Sequence, residues 1–352
     1  MPEQTTMESV RTLDARLSQI LAHARGRAAP AVAEFARLWD ALERMAAGGK
    51  RIRPRLLLDA HAALGGSDER AATDAACALE LLHLALVIHD DVIDRDVTRR
   101  GEPNITGAFA VDAEMQGVSA SDARAWGEAS SILAGDLMLT TAHSLIARLD
   151  VDADRRSAIL DAFEDAVHLS AAGEHRDVWL SLHVEDARPQ DVLGMIEQKT
   201  AVYSFRAPLV IAAVLAGSAA SVVDELTAIA HRLGVIYQLR DDVLGVFGDE
   251  ARTGKSALSD LREGKETLLV AYARSNAAWA EVAPRFGDAR LDETDGEQVR
   301  RVIRDSAALA LVEAVIAEQC AEAERMIAVS DLPPALAAQL TALVSQCSTR
   351  ES

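Results

Sequence analysis

Aromatic residues are scarce: Phe, Trp and Tyr make up 4% of the 352 residues. Strands draw on aromatic and β-branched side chains, and few segments alternate apolar and polar residues at period two. Almost no sheet is expected. Cysteine is rare too. Cys77, Cys320 and Cys347 are odd in number and lack the spacing of a zinc site or a disulfide framework, so a reducing, cytoplasmic setting is expected. No apolar run reaches the roughly 18–20 residues of a membrane span. The first thirty residues have mixed charges and no apolar core of signal-peptide type. Positive charge is in deficit, with 36 Lys and Arg against 55 Asp and Glu, a net charge of −19. Such a chain repels nucleic acid and anionic membrane surfaces at long range. Neither a nucleic-acid partner nor stable membrane insertion is expected, and an anionic substrate would need positive charge gathered locally. GxxxxGK[ST] is absent, as is GxGxxG after a strand. TGKS at 253–256 lacks the upstream glycine and follows a helix.

What is present is a chain 49% hydrophobic, rich in Ala, Leu and Val. Ala is the best helix former. Apolar periodicity and turn signals predict helices over 1–25, 32–45, 69–96, 125–148, 155–175, 189–203, 205–216, 221–247 and 333–347, with two or three more across 266–328. Another opens near Pro54, which suits a first helical turn. Residues 101–124 and 248–265 read as loops. No linker or short repeat interrupts the series. One all-α domain over 1–352 is expected, with 1–25 and 348–352 peripheral.

Two stretches carry the chemistry. HDDVIDRDVTRRG (89–101) and YQLRDDVLGVFGDEARTGKSALSDLREGK (237–265) each set adjacent aspartates in an apolar helix and follow them with Arg or Lys. Leu79, Leu82, His83, Leu86, Asp90 and Asp94 fall at three- and four-residue steps and share a helix face. Asp90 therefore points inward in this reading, with Asp91 directed elsewhere. Carboxylates one turn apart repel unless a cation lies between them. Mg²⁺ takes oxygen ligands, keeps several waters and shares positions with substrate phosphates. Asp241 lies three residues after Gln238, again on one face. Basic residues supply the other half: Arg99 and Arg100, Lys255 and Lys265, and Lys50, Arg51 and Arg53 in the glycine-marked GGKRIRP. Arg forks and Lys point charges both bind phosphate. Three basic clusters, two tied to Asp pairs, suggest a diphosphate bridged by Mg²⁺.

GGKRIRP, ELLHLALVIHDDVIDRDVTRRGEP, SILAGDLML, EQKTA and YQLRDDVLGVFGDEARTGKSALSDLREGKET follow one another in order. From Gly48 to Lys265 the sequence resembles the trans-isoprenyl diphosphate synthases, or polyprenyl synthetases, in the branch of actinobacterial geranylgeranyl diphosphate synthases. The resemblance implies an isoprenoid-synthase-type bundle of helices around a central cavity, usually a homodimer. Its activity joins isopentenyl diphosphate head to tail with an allylic diphosphate. Carried over by motif, Asp90, Asp94 and Asp241 would hold Mg²⁺, three ions per site with substrate bound. Arg99, Lys199, Lys255 and Lys265 would neutralise the allylic diphosphate, and Gln238 and Thr200 would lie beside the developing cation. Lys50, Arg53, His83 and Arg100 would bind isopentenyl diphosphate. Three departures stand out: Gly245 where the second motif often ends in Asp, GEPN where GxPT is usual, and Glu174 where Gln is common.

Product length is expected to be set upstream of Asp90, where short-chain members often carry bulky aromatics. Here Ala85 and Leu86 stand. A small Ala85 argues against a fifteen-carbon stop, and geranylgeranyl diphosphate is the expected product. Farnesyl or longer polyprenyl products stay open. A class I terpene cyclase is a rival, although DDVLG followed by two lysines is not its second metal motif. The other rival is a non-catalytic subunit of a prenyl synthase.

Overall fold

The computed structural model describes residues 2–27, 32–99, 101–249 and 256–350. Arg100 and Lys255 lie outside the described residues. Internal contacts group the chain into two compact units, one of Met1–Phe163 with Ile211–Ser218, the other of Glu164–Val210 with Ala219–Ser352.

The first unit contains α1 (Pro2–Arg27), α2 (Ala33–Ala46), α3 (Ile52–Ala63), α4 (Glu69–Ile93), a two-residue ribbon of β1 (Thr98–Arg99) and β2 (Glu102–Pro103), α5 (Ile105–Met115) and α6 (Ala120–Ala147). Its centre is α4, which packs on α6, α3 and α1. The Asp68 carboxylate accepts from the Ala71 N–H at 2.9 Å and caps the helix start. Ala72, Ala75, Ala76 and Ala78 on α4 are fully buried, and these small residues let neighbouring helices approach closely. Arg99 pairs with Glu102 across the ribbon.

Residues 101–124, expected as loop, are instead the second strand, α5 and the start of α6. Two caps account for this. Asn104 Oδ1 accepts from the Gly107 N–H at 2.9 Å, and Ser119 Oγ accepts from the Asp122 N–H. Ile105, Phe109 and Ala113 then bury one face of α5. Gly101, Gly107 and Gly117 read as turn signals and hid this short helix.

Among the described residues, the rest of the chain runs through α7 (Ala153–Ser181), α8 (Pro189–Ile196), a wider π-helical segment (Glu197–Arg206), α9 (Ala207–Ala216), α10 (Ala220–Phe247) and six later helices. The later six are α11 (Ser259–Glu263), α12 (Leu268–Ala273), α13 (Trp279–Val282), α14 (Glu293–Asp305), α15 (Ala308–Val329) and α16 (Pro334–Thr349). In the second unit α10 packs against the π-helical segment, α15 and α16. A Cβ at Gly234 would lie 2.1 Å from the Ala201 side chain, so glycine there sets the close approach of α10 to that segment.

Two helical stretches, Glu69–Ile93 and Pro189–Ala216, are long and apolar enough to cross a membrane. Their apolar windows are 72% and 67% buried, as core helices would be.

Candidate active site

In the first unit the aspartate doublet ends α4. Asp91, not Asp90, is the inward carboxylate: Asp91 is 3% exposed, whereas the Asp90 side chain is 30% exposed and Asp94 is exposed. The exchange has a physical reason. Arg99, held on the ribbon, places Nε 2.8 Å and Nη2 2.5 Å from Asp91 Oδ1, giving the buried charge its partner. Burial pushes the Asp91 carboxyl above its ordinary range, and Arg99 pulls it part of the way back. Burial works against the Arg99 charge, but Asp91, Asp90 and Asp96 outweigh it and hold the guanidinium pKa above its usual value. Arg99 Nη2 is also 3.8 Å from Asp90 Oδ2. Asn104 donates from Nδ2 to the Asp96 carbonyl at 2.9 Å, so the departure GEPN supplies the polar group that ties the start of α5 to the turn after α4.

The apolar face traced through α4 rises gradually out of the core. Leu79 and Leu82 are buried, His83, Leu86 and Asp90 half-buried, and Asp94 exposed. Ala85 is 1% exposed. One turn from the end, the His89 ring lies over Gly135 of SILAGDLML, where a Cβ would come within 2.2 Å of Nε2.

The GGKRIRP cluster divides. Lys50 is exposed, and Arg53 is buried. Arg51 is a structural residue, its guanidinium donating to Glu80 Oε1 at 2.6 Å, Asp14 Oδ1 at 3.0 Å and the Ala46 carbonyl at 2.5 Å.

In the second unit the π-helical segment brings Lys199 and Thr200 to two different neighbours. Lys199 Nζ lies 2.6 Å from Glu174 Oε2 and 2.7 Å from Asp177 Oδ2. Glutamate at 174 thus gives the lysine a full counter-charge. Thr200 Oγ1 donates to Gln238 Oε1 at 2.8 Å, and Gln238 Nε2 donates to Asp242 Oδ1 at 2.8 Å. Gln238 and Thr200 are thus hydrogen-bonded to each other, and Asp242 anchors the pair. Asp242 is 3% exposed, and burial pushes its carboxyl up to about 7 despite nearby Lys265. Asp241 is half-buried, with Arg350 Nη2 3.3 Å from its Oδ1; that guanidinium lies 4.2 Å from the Tyr237 ring centre. Burial opposes the charge of Lys265, but Asp260, Asp242, Asp177 and Asp241 hold its pKa well above the ordinary value.

Sequence reasoning missed the second member of each doublet, along with Asp177, Asp260 and Arg350. The doublets were the available signal: neighbouring residues on a helix point about 100° apart, so only one of two aspartates can follow the apolar stripe. Asp177 and Arg350 lie far from the motifs, and nothing local to them indicated the contact.

Among the described residues no three His, Cys, Asp or Glu side chains converge into a metal-sized cluster. Mg²⁺ needs no such cluster, since it binds through one or two carboxylates and completes its shell with water and substrate phosphate. Asp90 and Asp94 also stand at the C-terminal end of a helix, whose negative dipole end favours a cation. A surface concavity of about 380 Å³ lined by Asp224, Thr227, Ala228, His231, Arg232 and Met326 contains none of these residues. Its lining offers no Asp doublet or basic cluster.

The family model for polyprenyl synthetases matches residues 36–303. A geranylgeranyl diphosphate synthase of Methanosarcina mazei is 34% identical over 252 residues, 71% of this chain and 70% of the relative. A geranylfarnesyl diphosphate synthase of Aeropyrum pernix is 33% identical, covering 75% of this chain and 78% of that one. Among solved structures, geranylgeranyl pyrophosphate synthase from Corynebacterium glutamicum, complexed with isoprenyl diphosphate and magnesium, superposes with a TM-score of 0.89. The two are 29% identical, over 97% of this chain and 99% of that one.

Proposed function

The chain belongs to the polyprenyl synthetase family and is a trans-prenyltransferase, and on that premise we propose that it condenses isopentenyl diphosphate with an allylic diphosphate to give geranylgeranyl diphosphate. The observation that carries the residue roles is the repeated construction of the aspartate doublets. In each, the first carboxylate reaches solvent, while the second is 3% exposed and tied to Arg99 or Gln238. The first members, Asp90 and Asp241, together with Asp94, are assigned as ligands of Mg²⁺, three ions per site. Bound Mg²⁺ would supply Lewis acidity to the departing diphosphate. The protein's cations do the rest: Arg99, Lys199, Lys255 and Lys265 stabilise negative charge where it develops. The Gln238 amide, fixed between Thr200 and Asp242, presents its oxygen dipole to the allylic cation. Lys50, Arg53, His83 and Arg100 are assigned to isopentenyl diphosphate. The released diphosphate can take the proton, so no side-chain base is required.

The whole chain acts in this reading as one catalytic domain, as a homodimer in the cytoplasm. Met115 on α5 and Trp126, Ile132 and Leu133 on α6 are exposed apolar residues that a second copy would cover. All three cysteines are free thiols, as a reducing compartment requires.

Product chromatography with C5, C10 and C15 primers tests the assignment. Each primer should lead to the C20 diphosphate, and only when isopentenyl diphosphate is present. Hydrocarbon formed from an allylic diphosphate alone would identify a terpene cyclase. No turnover by the purified chain would identify a non-catalytic subunit.

A further inference from the structure

Lys265 sits on a short link. α11 ends at Glu263, Gly264 caps it in the left-handed region at φ 68, and Thr267 caps the start of α12. Lys265 and Glu266 lie between the two caps. A lysine is a point charge on a flexible stem, so its reach is set by how firmly this link is held. The His183 ring, two residues past α7, places Nε2 3.1 Å from the Gly264 carbonyl oxygen and 2.9 Å from Glu266 Oε1. A carbonyl can only accept, so Nε2 carries the proton and is shared between the two oxygens. Glu266 is fully buried, with Arg274 Nη1 2.8 Å from its Oε2. Aromatic contacts close the circuit. The His183 ring lies 5.5 Å from Phe286, Phe286 lies 5.4 Å from Trp279, and Arg274 Cζ lies 5.9 Å from the Trp279 ring centre. A Cβ at Gly264 would come within 2.8 Å of His183 Cε1, so glycine there lets the ring approach.

We propose that His183, Glu266 and Arg274 form a clasp that fixes the chain on both sides of Lys265, making the three of them positioning residues for the lysine that meets the allylic diphosphate. The inference rests on the prenyltransferase reading given above, which assigns Lys265 to that diphosphate, and it adds three residues to which that reading gives no role. The clasp is built against stability. His183 adopts φ 52, in the left-handed region that a side chain resists. Glu266 is a carboxyl group held away from water. Apolar side chains would join the same elements with neither penalty. A single imidazole N–H, by contrast, grips a backbone oxygen before Lys265 and a side chain after it, and Arg274 holds that side chain from the other end. Such support is what keeps a charged group within the narrow range of positions that catalysis needs.

The test separates position from folding. Asn tolerates the left-handed backbone at 183 but is too short to reach both oxygens. Gln carries an amide N–H as many bonds from Cα as imidazole Nε2. With farnesyl and isopentenyl diphosphates and Mg²⁺, His183→Asn should lower kcat about 10²-fold. It should leave KM for isopentenyl diphosphate and the melting temperature unchanged, and His183→Gln should restore most of kcat. Amide exchange read by mass spectrometry should rise across 264–267 in His183→Asn and fall back in His183→Gln. Glu266→Gln keeps the shape and removes the charge. Assayed on the alkaline side of about 7, the value to which burial raises this carboxyl, it should lower kcat while gaining melting temperature, an opposition that a merely structural residue does not produce. Wild-type kcat in His183→Asn overturns the proposal, as does a loss of kcat that follows melting temperature and is not restored by His183→Gln. If His183→Asn does not fold, Glu266→Gln decides, and an unchanged kcat there overturns the proposal. A wild type that makes no prenyl product defeats the functional reading and this inference with it, whereas an active wild type indifferent to His183→Asn defeats this inference alone.

Discussion

Arg51 adopts φ 52, the left-handed region where a side chain costs energy. It is held there by a buried ion pair: Arg51 and Glu80 side chains are each 5% exposed and 2.6 Å apart. Removing one partner of such a pair leaves an uncompensated buried charge and costs about 3–5 kcal/mol. Glu80→Gln should lower the unfolding free energy read from urea titration by that amount, and a change under about 1 kcal/mol would show that Asp14 and the Ala46 carbonyl suffice. The sequence grouped Arg51 with Lys50 and Arg53 as a basic cluster because its partner lies on another helix; residue type was legible, pairing was not. A second residue-scale test uses Glu266, which is fully buried beside His183 and Arg274. Burial raises its carboxyl to about 7, with Arg274 opposing. The folded state therefore keeps a proton that the unfolded chain releases near its ordinary value. Stability from this group is present at low pH and falls as pH rises from about 4.5 toward 7. Glu266→Gln should gain melting temperature relative to wild type between pH 5 and pH 8. A pH-independent difference would mean that Glu266 is ionised throughout.

At the scale of elements, helix periodicity read well where the apolar stripe is long. α4 begins at Glu69 as expected and ends at Ile93, three residues early, because Asp94 closes the last turn and Arg95 turns left-handed at φ 61. Two separate helices were expected over 189–216. The chain instead continues through the π-helical segment, whose wider turn sits at Lys199 and Thr200, and such turns gather at functional sites. Period counting assumes 3.6 residues per turn and cannot register that change. Gly173 of α7 makes the segment's approach possible: a Cβ there would lie 2.3 Å from the Lys199 backbone N. Gly173→Ala should displace Lys199 and Thr200 and lower kcat about 10²-fold, while circular dichroism stays helical. Unchanged kcat would detach this backbone from the chemistry. On α4, Ala85→Phe should shorten the product by filling space beside the growing chain, with a stability loss of about 1–3 kcal/mol from overpacking. An unchanged product would mean that the chain grows along another face.

For the whole molecule, the all-α class was legible from alanine-rich composition and from the scarcity of aromatic and alternating segments. The grouping into two compact units was not. Two of the three boundaries, at Phe163 and Val210, fall inside α7 and α9 and only the one after Ser218 lies in a loop, so no shift of composition marks the division. The net charge of −19 excludes anionic ligands only at long range; within the second unit, Lys199 Nζ lies within 2.7 Å of two carboxylates, and, against burial, the charges of four aspartates raise the Lys265 pKa.

The central claim is that carboxylates at Asp90 and Asp241 promote loss of diphosphate from an allylic substrate. The most direct measurement is pyrophosphate release from farnesyl diphosphate with isopentenyl diphosphate and Mg²⁺, by wild type, Asp90→Asn and Asp241→Asn. Wild type should release one pyrophosphate per condensation, and each variant should be slower by about 10²–10³-fold. Release by the variants at the wild-type rate, or none by the wild type, would contradict the account.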